Sequence, residues 1–248
     1  MLRDIIHHKR FKQSMAILFW VAIWQILSMQ RILGLFVASP VETLQRLFEL
    51  CGTGRFYLSV LYTSGRILTG FLLAVCVGTL LAFLTWKYEW LEILTEPVMR
   101  LIRTVPVVSF IILALILLSS RYLTQLISFL MSLPIVCMNV KTGISHTDRE
   151  LVEMAEIFHV SWPRKLRRLY VPQVLPAFTT ATSLALSFSW KSGIAAEVIG
   201  MPTGSIGERL QQAKVYLNTP DLFAWTLVIV LLSILSDKLW RKLLACVK

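Results

Sequence analysis

Apolar runs alternate with short charged segments along most of this 248-residue chain, and the alternation predicts a helical membrane protein. The first run, Met15 to Leu27, follows a polar start bearing Arg3, Lys9, Arg10 and Lys12. No small-x-small cleavage pattern comes after it and further apolar runs do, so it reads as an uncleaved first span with its N-terminus in the cytoplasm. Ser39-Pro40-Val41-Glu42 is a capping box with proline at the first helical position. It predicts a short helix with Val41, Leu44 and Phe48 on one face, ended by Gly52-Thr53-Gly54 and too brief to cross, hence expected on the outer membrane surface. A helix from about Phe56 then climbs through Arg66 into a span from Ile67 to Trp86. Gly70, Ala74 and Gly78 recur there every four residues, either a stripe that admits a close neighbour or the ordinary abundance of glycine in membrane helices.

Lys87 to Thr104 returns to charge and is expected as a cytoplasmic connection. The next run, Val105 to Leu118, falls short of the roughly 20 residues a span needs, so its helix is expected to start earlier, near Val98. Ser119-Ser120-Arg121 allows a tight outer turn before Tyr122 to Val140 comes back, with Pro134 as the site of a kink. A fifth span, Gln173 to Trp190, carries Thr179, Thr180, Thr182, Ser183, Ser187 and Ser189 together with a small stripe at Ala177, Ala181 and Ala185. Such a helix belongs inside a bundle; its hydroxyls either line a polar path or bond back to their own helix. Met201-Pro202-Thr203-Gly204 ends it, and Asp221 to Leu239 makes the sixth span.

The longest charged, proline-bounded stretch lies between the fourth and fifth spans, from Asp148 to Pro172. Thr147 followed three residues later by Glu150 predicts a capped helix start. Leu151, Met154, Ala155 and Phe158 then form one apolar stripe, while Asp148, Glu150, Glu153 and Glu156 gather where the helix dipole favours anions. Ser161 is positioned to cap a second helix with Pro163 in its first turn. Trp162, Leu166, Leu169 and Tyr170 fall on one side of it, and Arg164, Lys165, Arg167 and Arg168 elsewhere. The pattern predicts a helix-turn-helix, acidic then basic, on the water side of a membrane.

Composition and charge sharpen this picture. With 56% apolar residues and a mean hydropathy of +0.69, the chain is not an ordinary soluble domain. Its net charge of +11 sits between apolar runs rather than on one patch, which fits membrane topology better than nucleic acid. Lys and Arg concentrate in the basic start, the Lys87 to Thr104 connection, the Asp148 to Pro172 loop with Lys141 before it, and the C-terminal exit at Lys238, Arg241, Lys242 and Lys248. The outer segments hold Arg31, Arg46, Arg55, Arg66, Arg121, Arg209 and Lys214. The bias predicts six spans with both termini, and the loop, in the cytoplasm. Cys51, Cys76, Cys137 and Cys246 share no metal-like spacing and read as free thiols; His7, His8, His146 and His159 are scattered and read as solvated or interfacial. There is no Gly-x4-Gly-Lys-Ser/Thr loop and no nucleophile-base spacing, so the chain is not expected to act as an enzyme alone.

Glu153-x-Ala155, three residues, position 159, nine residues and Leu169-x-Val171-Pro172 together resemble the EAA loop of bacterial ABC importer permeases, Glu-Ala-Ala, x3, Gly, x9, Ile-x-Leu-Pro. Met154 stands for the first Ala of that pattern and His159 for its Gly, which would supply a left-handed residue at the end of the first helix. Gly65-Arg66-Ile67-Leu68-x-Gly70-Phe71, Glu96-Pro97, Arg103-Thr104-Val105-Pro106, Ala196-Glu197 and Asp237 are similar to the nitrate/sulfonate/taurine branch of the same family, from about Ser39 to the C-terminus. The resemblance implies an all-α integral membrane protein, the type I ABC importer permease fold, with six transmembrane helices and a cytoplasmic coupling helix-turn-helix. Residues 1–38 would form an N-terminal cytoplasmic segment and first span, and residues 39–248 the permease domain with its coupling loop at 147–172.

On the same resemblance, Glu153, Ala155, Phe158, His159 and Pro172 would contact the ATPase, although the helix alone would equally suit lipid headgroups, as would the Arg164 to Arg168 cluster. Ser183, Ser187, Trp190, Lys191 and Glu197 are candidates for the translocation path; Lys191 and Glu197 alternatively pair with each other or reach outer water. The implied partners are two copies of an ABC ATPase, a second permease chain in a homodimer, an extracytoplasmic solute-binding protein and membrane lipid. No cofactor is expected on this chain, ATP-Mg belonging to the ATPase. The implied location is the bacterial cytoplasmic membrane, and the implied solute is a small nitrate-, sulfonate- or taurine-like anion, neutral heterocycles being the other solutes that the branch handles. A secondary transporter driven by an ion gradient, or a membrane scaffold without a solute path, are the competing classes.

Overall fold

The computed structural model describes residues 2–30 and 36–246, with side chains from Phe11 onward except Gln13. Of the cations counted above, Arg31 and Lys248, and the side chains of Arg3, Lys9 and Arg10, lie outside the described residues. Every regular element among the described residues is helical. In order they are α1 (Leu2–Ser28), α2 (Pro40–Cys51), α3 (Gly54–Lys87), α4 (Glu89–Thr104), α5 (Val107–Leu117), α6 (Ser120–Ser145), α7 (Arg149–Ile157), α8 (Trp162–Lys165), a π-helical turn (Leu166–Tyr170), α9 (Val171–Gly200), α10 (Ile206–Val215) and α11 (Thr219–Ala245). They gather into two compact units, Met1–Leu58 with Arg209–Val228, and Ser59–Glu208 with Ile229–Lys248.

In the first unit the polar start and the apolar run fuse into the single helix α1. The Trp24 indole N–H donates to the Ala38 carbonyl at 3.0 Å and its ring stacks on Phe223, which holds the start of α2 against this unit. Both halves of the expected capping box are present at α2: the Glu42 N–H donates to Ser39 Oγ at 3.2 Å, and the Ser39 N–H to Glu42 Oε2 at 2.9 Å. Pro40 and Thr43 face inward, whereas the apolar face of Val41, Leu44 and Phe48 is exposed.

The second unit is organised by close approach. A Cβ on Gly70 would lie 2.4 Å from the backbone oxygen of Gln125, one on Gly78 3.0 Å from Val136, and Ala74 between them is fully buried. The small-residue stripe of α3 is therefore a contact surface for α6, since bare backbone is what lets two helices come this near. The second stripe does the same for α6 and α9: a Cβ on Gly143 would meet Ala177 at 2.8 Å, and Ala181 and Ala185 are buried. Ile67, Phe71, Val136, Leu186 and Trp190 fill the space between them, and the Trp240 indole N–H donates to Thr182 Oγ1 at 2.8 Å while its ring meets Phe71 edge-on.

The hydroxyls of α9 behave mainly as the second of the two readings. Thr179, Thr180, Thr182, Ser187 and Ser192 donate to carbonyls four residues back, and Ser189 crosses to Ser132 of α6. These bonds satisfy polar groups inside an apolar bundle.

Three expectations are corrected. The helix preceding Leu118 does not run on from Val98: α4 and α5 meet at 104°. Pro106 has no N–H and confines Val105 to extended backbone (φ −75°, ψ 132°), so the helix cannot pass that point. The first helix of the loop is capped by Asp148, whose carboxylate accepts the Glu150 N–H at 2.9 Å, and not by Thr147, whose hydroxyl is buried without a partner among the described residues. Finally, the second helix of the loop is not separate from the fifth span expected from Gln173. The Val171 N–H reaches Leu166, five residues back, and this π-helical turn carries α8 straight into α9, with Pro172 in a first turn that needs no N–H from it.

Among the described residues, α3, α6 and α11 are each long and apolar enough to cross a membrane, and the bent pair α4 and α5 qualifies jointly. The apolar part of α1, Ser14–Ser28, is shorter, and the hydroxyl residues of α9 lower its hydropathy.

Candidate functional site

Residues 147–172 form a two-helix protrusion fixed at both ends. At its start the Asp148 N–H donates to Gln173 Oε1 at 2.9 Å, tying the beginning of α7 to the beginning of α9. Between its arms Lys165 Nζ meets Glu156 at 3.5 Å, and along α7 the Arg149 guanidinium pairs with Glu153 at 3.0 Å. The second arm is fastened by rings: Trp162 and Tyr170 stand 5.8 Å apart, Tyr170 and Trp86 5.7 Å, and Trp162 and Phe83 6.4 Å. These rings line an apolar groove of about 740 Å³ shared by α3, α6 and the start of α9.

The turn between the arms is a left-handed helix stop. His159 sits at φ +49°; its N–H donates to the Glu156 carbonyl at 2.9 Å, and the Val160 N–H to the Ala155 carbonyl at 3.0 Å. That pair of bonds is the Schellman closure, which glycine makes without strain and which a histidine makes here. Ala155 is buried beneath it, while Met154, Ile157 and Phe158 project outward, the last two about three-quarters exposed. The apolar stripe read from the sequence is thus mostly unpacked within this chain, with Glu153 exposed beside it. A rigid, acidic helix with an uncovered apolar face at its tip is suited to insert into a groove on another protein and transmit a push.

The five residues proposed for a path do not converge. Ser183 and Trp190 are buried, with the Ser183 hydroxyl and the Trp190 indole N–H unpartnered among the described residues. Glu197 is fully buried and does not pair with Lys191: it accepts from Thr63 Oγ1 at 2.8 Å, Thr124 Oγ1 at 3.3 Å and the Gly207 N–H at 3.2 Å. Lys191 is exposed, its Nζ 5.7 Å from the Phe188 ring, and it shares an outward face of α9 with Leu184, Ser187 and Phe188.

Sequence reasoning missed Gln173 as the anchor of the loop and Thr63 and Thr124 as partners of Glu197. The available signal was polar residues inside apolar runs, which demand a partner. It also missed the Lys141–Glu92 ion pair, which links α6 to α4 beside a cleft of about 330 Å³ whose lining includes Glu96, Arg103 and His146.

Residues 74–243 match the family described as "Binding-protein-dependent transport system inner membrane component". The chain is similar to a probable ABC transporter permease protein of Brucella melitensis, at 28% identity over 81% of each chain. It is also similar to a putative aliphatic sulfonates transport permease protein of Bacillus subtilis (24% identity, 90% of this chain and 81% of that one). A taurine transport system permease protein of Escherichia coli matches at 24% identity over 86% of this chain and 80% of its own length.

Proposed function

The chain belongs to the family of binding-protein-dependent transport system inner membrane components, and from that premise we propose that it is the permease of an ATP-driven importer of a small sulfonate- or taurine-like anion. Its role is that of a membrane transport component working with an ATPase and a solute-binding protein. The observation that carries the coupling reading is the protrusion at 147–172, where Ile157 and Phe158 are exposed at the tip of an arm anchored at both ends.

In this reading the ATPase seats the apolar tip of α7, with Glu153, Ala155, Phe158 and His159 at or under the contact and Pro172 at the root. ATP-Mg stays on the ATPase. Closure of two ATPase subunits moves the protrusion as a lever, and because it is continuous with α9, the motion reaches the bundle and shifts it between inward and outward states. Two permease chains form the transporter, and the outward face of α9 bearing Ser187 and Lys191 borders the path between them; Ser183, Trp190 and Glu197 support that face from within. Six membrane passages, made by α1, α3, the bent pair of α4 and α5, α6, α9 and α11, put both termini and the loop in the cytoplasm, in keeping with the distribution of Lys and Arg.

The test is co-purification with the ATPase. Phe158→Glu and Glu153→Lys are expected to remove the ATPase from the complex while the permease still inserts and folds; retained binding and transport in both variants would refute the coupling role.

A further inference from the structure

Three arginines, Arg46, Arg55 and Arg209, surround a pocket of about 280 Å³ in the first unit. Its floor is aromatic: Phe56 and Trp225 stack with centroids 5.3 Å apart, and both rings are almost wholly buried. One carboxylate, Asp221, lines it, and that carboxylate is already committed to the Arg46 guanidinium and, at 2.9 Å, to the Asn218 amide. Arg46 also meets Glu49 at 2.6 Å, so it is a fixed strut.

The other two cations differ. Arg209 donates to the neutral Gln212 side chain at 3.3 Å, and Arg55 meets no acceptor among the described residues. With Asp221 matched by Arg46, the lining keeps two uncompensated guanidinium groups above an apolar floor. Planar guanidinium forks recognise oxyanions bidentately, and a stacked aromatic floor takes a short hydrocarbon body. The volume lies below the roughly 300–1,000 Å³ of pockets that hold drug-sized molecules.

We propose that this pocket binds a short-chain organic sulfonate or carboxylate, its oxyanion head between Arg55 and Arg209 and its carbon chain on Phe56 and Trp225. The inference rests on the importer reading, in which α2 and α10 face the outside: the pocket would then receive solute where the binding protein delivers it, ahead of the passage itself.

The test is equilibrium binding of radiolabelled propanesulfonate to the permease–ATPase complex in phosphatidylcholine nanodiscs, for the wild type, Arg55→Gln/Arg209→Gln and Arg55→Lys. Saturable binding that falls about tenfold or more in the double variant, weakens with salt and falls by less in Arg55→Lys, which keeps the charge but not the planar fork, would support the site. No saturable binding, or equal binding in the double variant, would overturn it. Loss of wild-type binding in phosphatidylglycerol nanodiscs would assign the pocket to a lipid headgroup, and loss of solute-binding-protein docking with sulfonate binding intact would make it a protein contact; either overturns it too. ATP-driven uptake by the wild-type complex, measured alongside, separates the cases: uptake without pocket binding refutes this inference alone, whereas absence of uptake refutes the importer reading.

Discussion

Thr63 donates its hydroxyl to Glu197 at 2.8 Å while its own oxygen accepts the Ile206 N–H at 3.0 Å, so one threonine of α3 joins the end of α9 to the start of α10. With Thr124 of α6 and the Gly207 N–H of α10 also directed at the carboxylate, Glu197 ties four helices together, and a Cβ on Gly207 would lie 2.2 Å from the Glu197 Cβ.

Replacing this acceptor strands its donors. Glu197→Ala is expected to destabilise the detergent-solubilised protein by about 3 kcal/mol or more, since three buried donors lose their partner, and Thr63→Val by about 1–3 kcal/mol. Thermal unfolding of both variants checks this; a wild-type melting temperature for Glu197→Ala would remove the carboxylate from the structural core of the protein.

Two glycines of α3 should respond oppositely to the same change. Gly70→Ala drives a methyl group into the Gln125 carbonyl and is expected to cost about 1–3 kcal/mol. Gly65→Ala meets open space and is expected to be neutral or to stabilise by up to about 1 kcal/mol through helix propensity. Equal melting temperatures for the two variants would contradict the α3–α6 contact.

At the turn between the two arms of the protrusion, His159→Gly relieves a left-handed backbone and is expected to raise stability by about 1 kcal/mol with the proposed ATPase binding retained. His159→Val places a β-branched side chain at the same φ and is expected to weaken both stability and ATPase binding. If Val is tolerated as well as Gly in a pull-down, the left-handed stop is not what shapes the tip.

Sidedness is testable with a membrane-impermeant maleimide. In a chain with Cys51, Cys76, Cys137 and Cys246 replaced by alanine, Arg168→Cys is expected to label only after cells are permeabilised, and Thr53→Cys in intact cells. Both positions are exposed, so labelling reports side rather than burial. The reverse pattern would place the protrusion outside, beyond the reach of any ATPase.

Asp221 and Arg46 form the strut of the arginine-lined pocket. Asp221→Asn removes the carboxylate that does most to favour the charged form of Arg46, leaving Glu49. Stability is expected to fall by only about 1 kcal/mol, because the pair is partly exposed. A drop several times larger in chemical denaturation would mean the strut carries more of the first unit than its exposure implies.

Local rules recorded in the sequence were sufficient for much of this. Ser39 and Glu42 announce α2 because capping is settled by residues three apart, and the four-residue repeat of Gly70, Ala74 and Gly78 marks one side of α3 because helical periodicity is local. The alternation of oil and charge identified a membrane chain, and the spacing from Glu153 to Pro172 identified the loop. What required the folded chain was every choice between local options of similar energy, or between partners far apart in sequence. Thr147 and Asp148 are both competent caps, and only the position of Gln173 on α9 selects Asp148. A proline at 172 is compatible with a helix end or with a first turn, and the π-helical turn before it decides. Whether Glu197 reached Lys191, water or a solute depended on Thr63 and Thr124, 134 and 73 residues away, brought to it only when three helices pack.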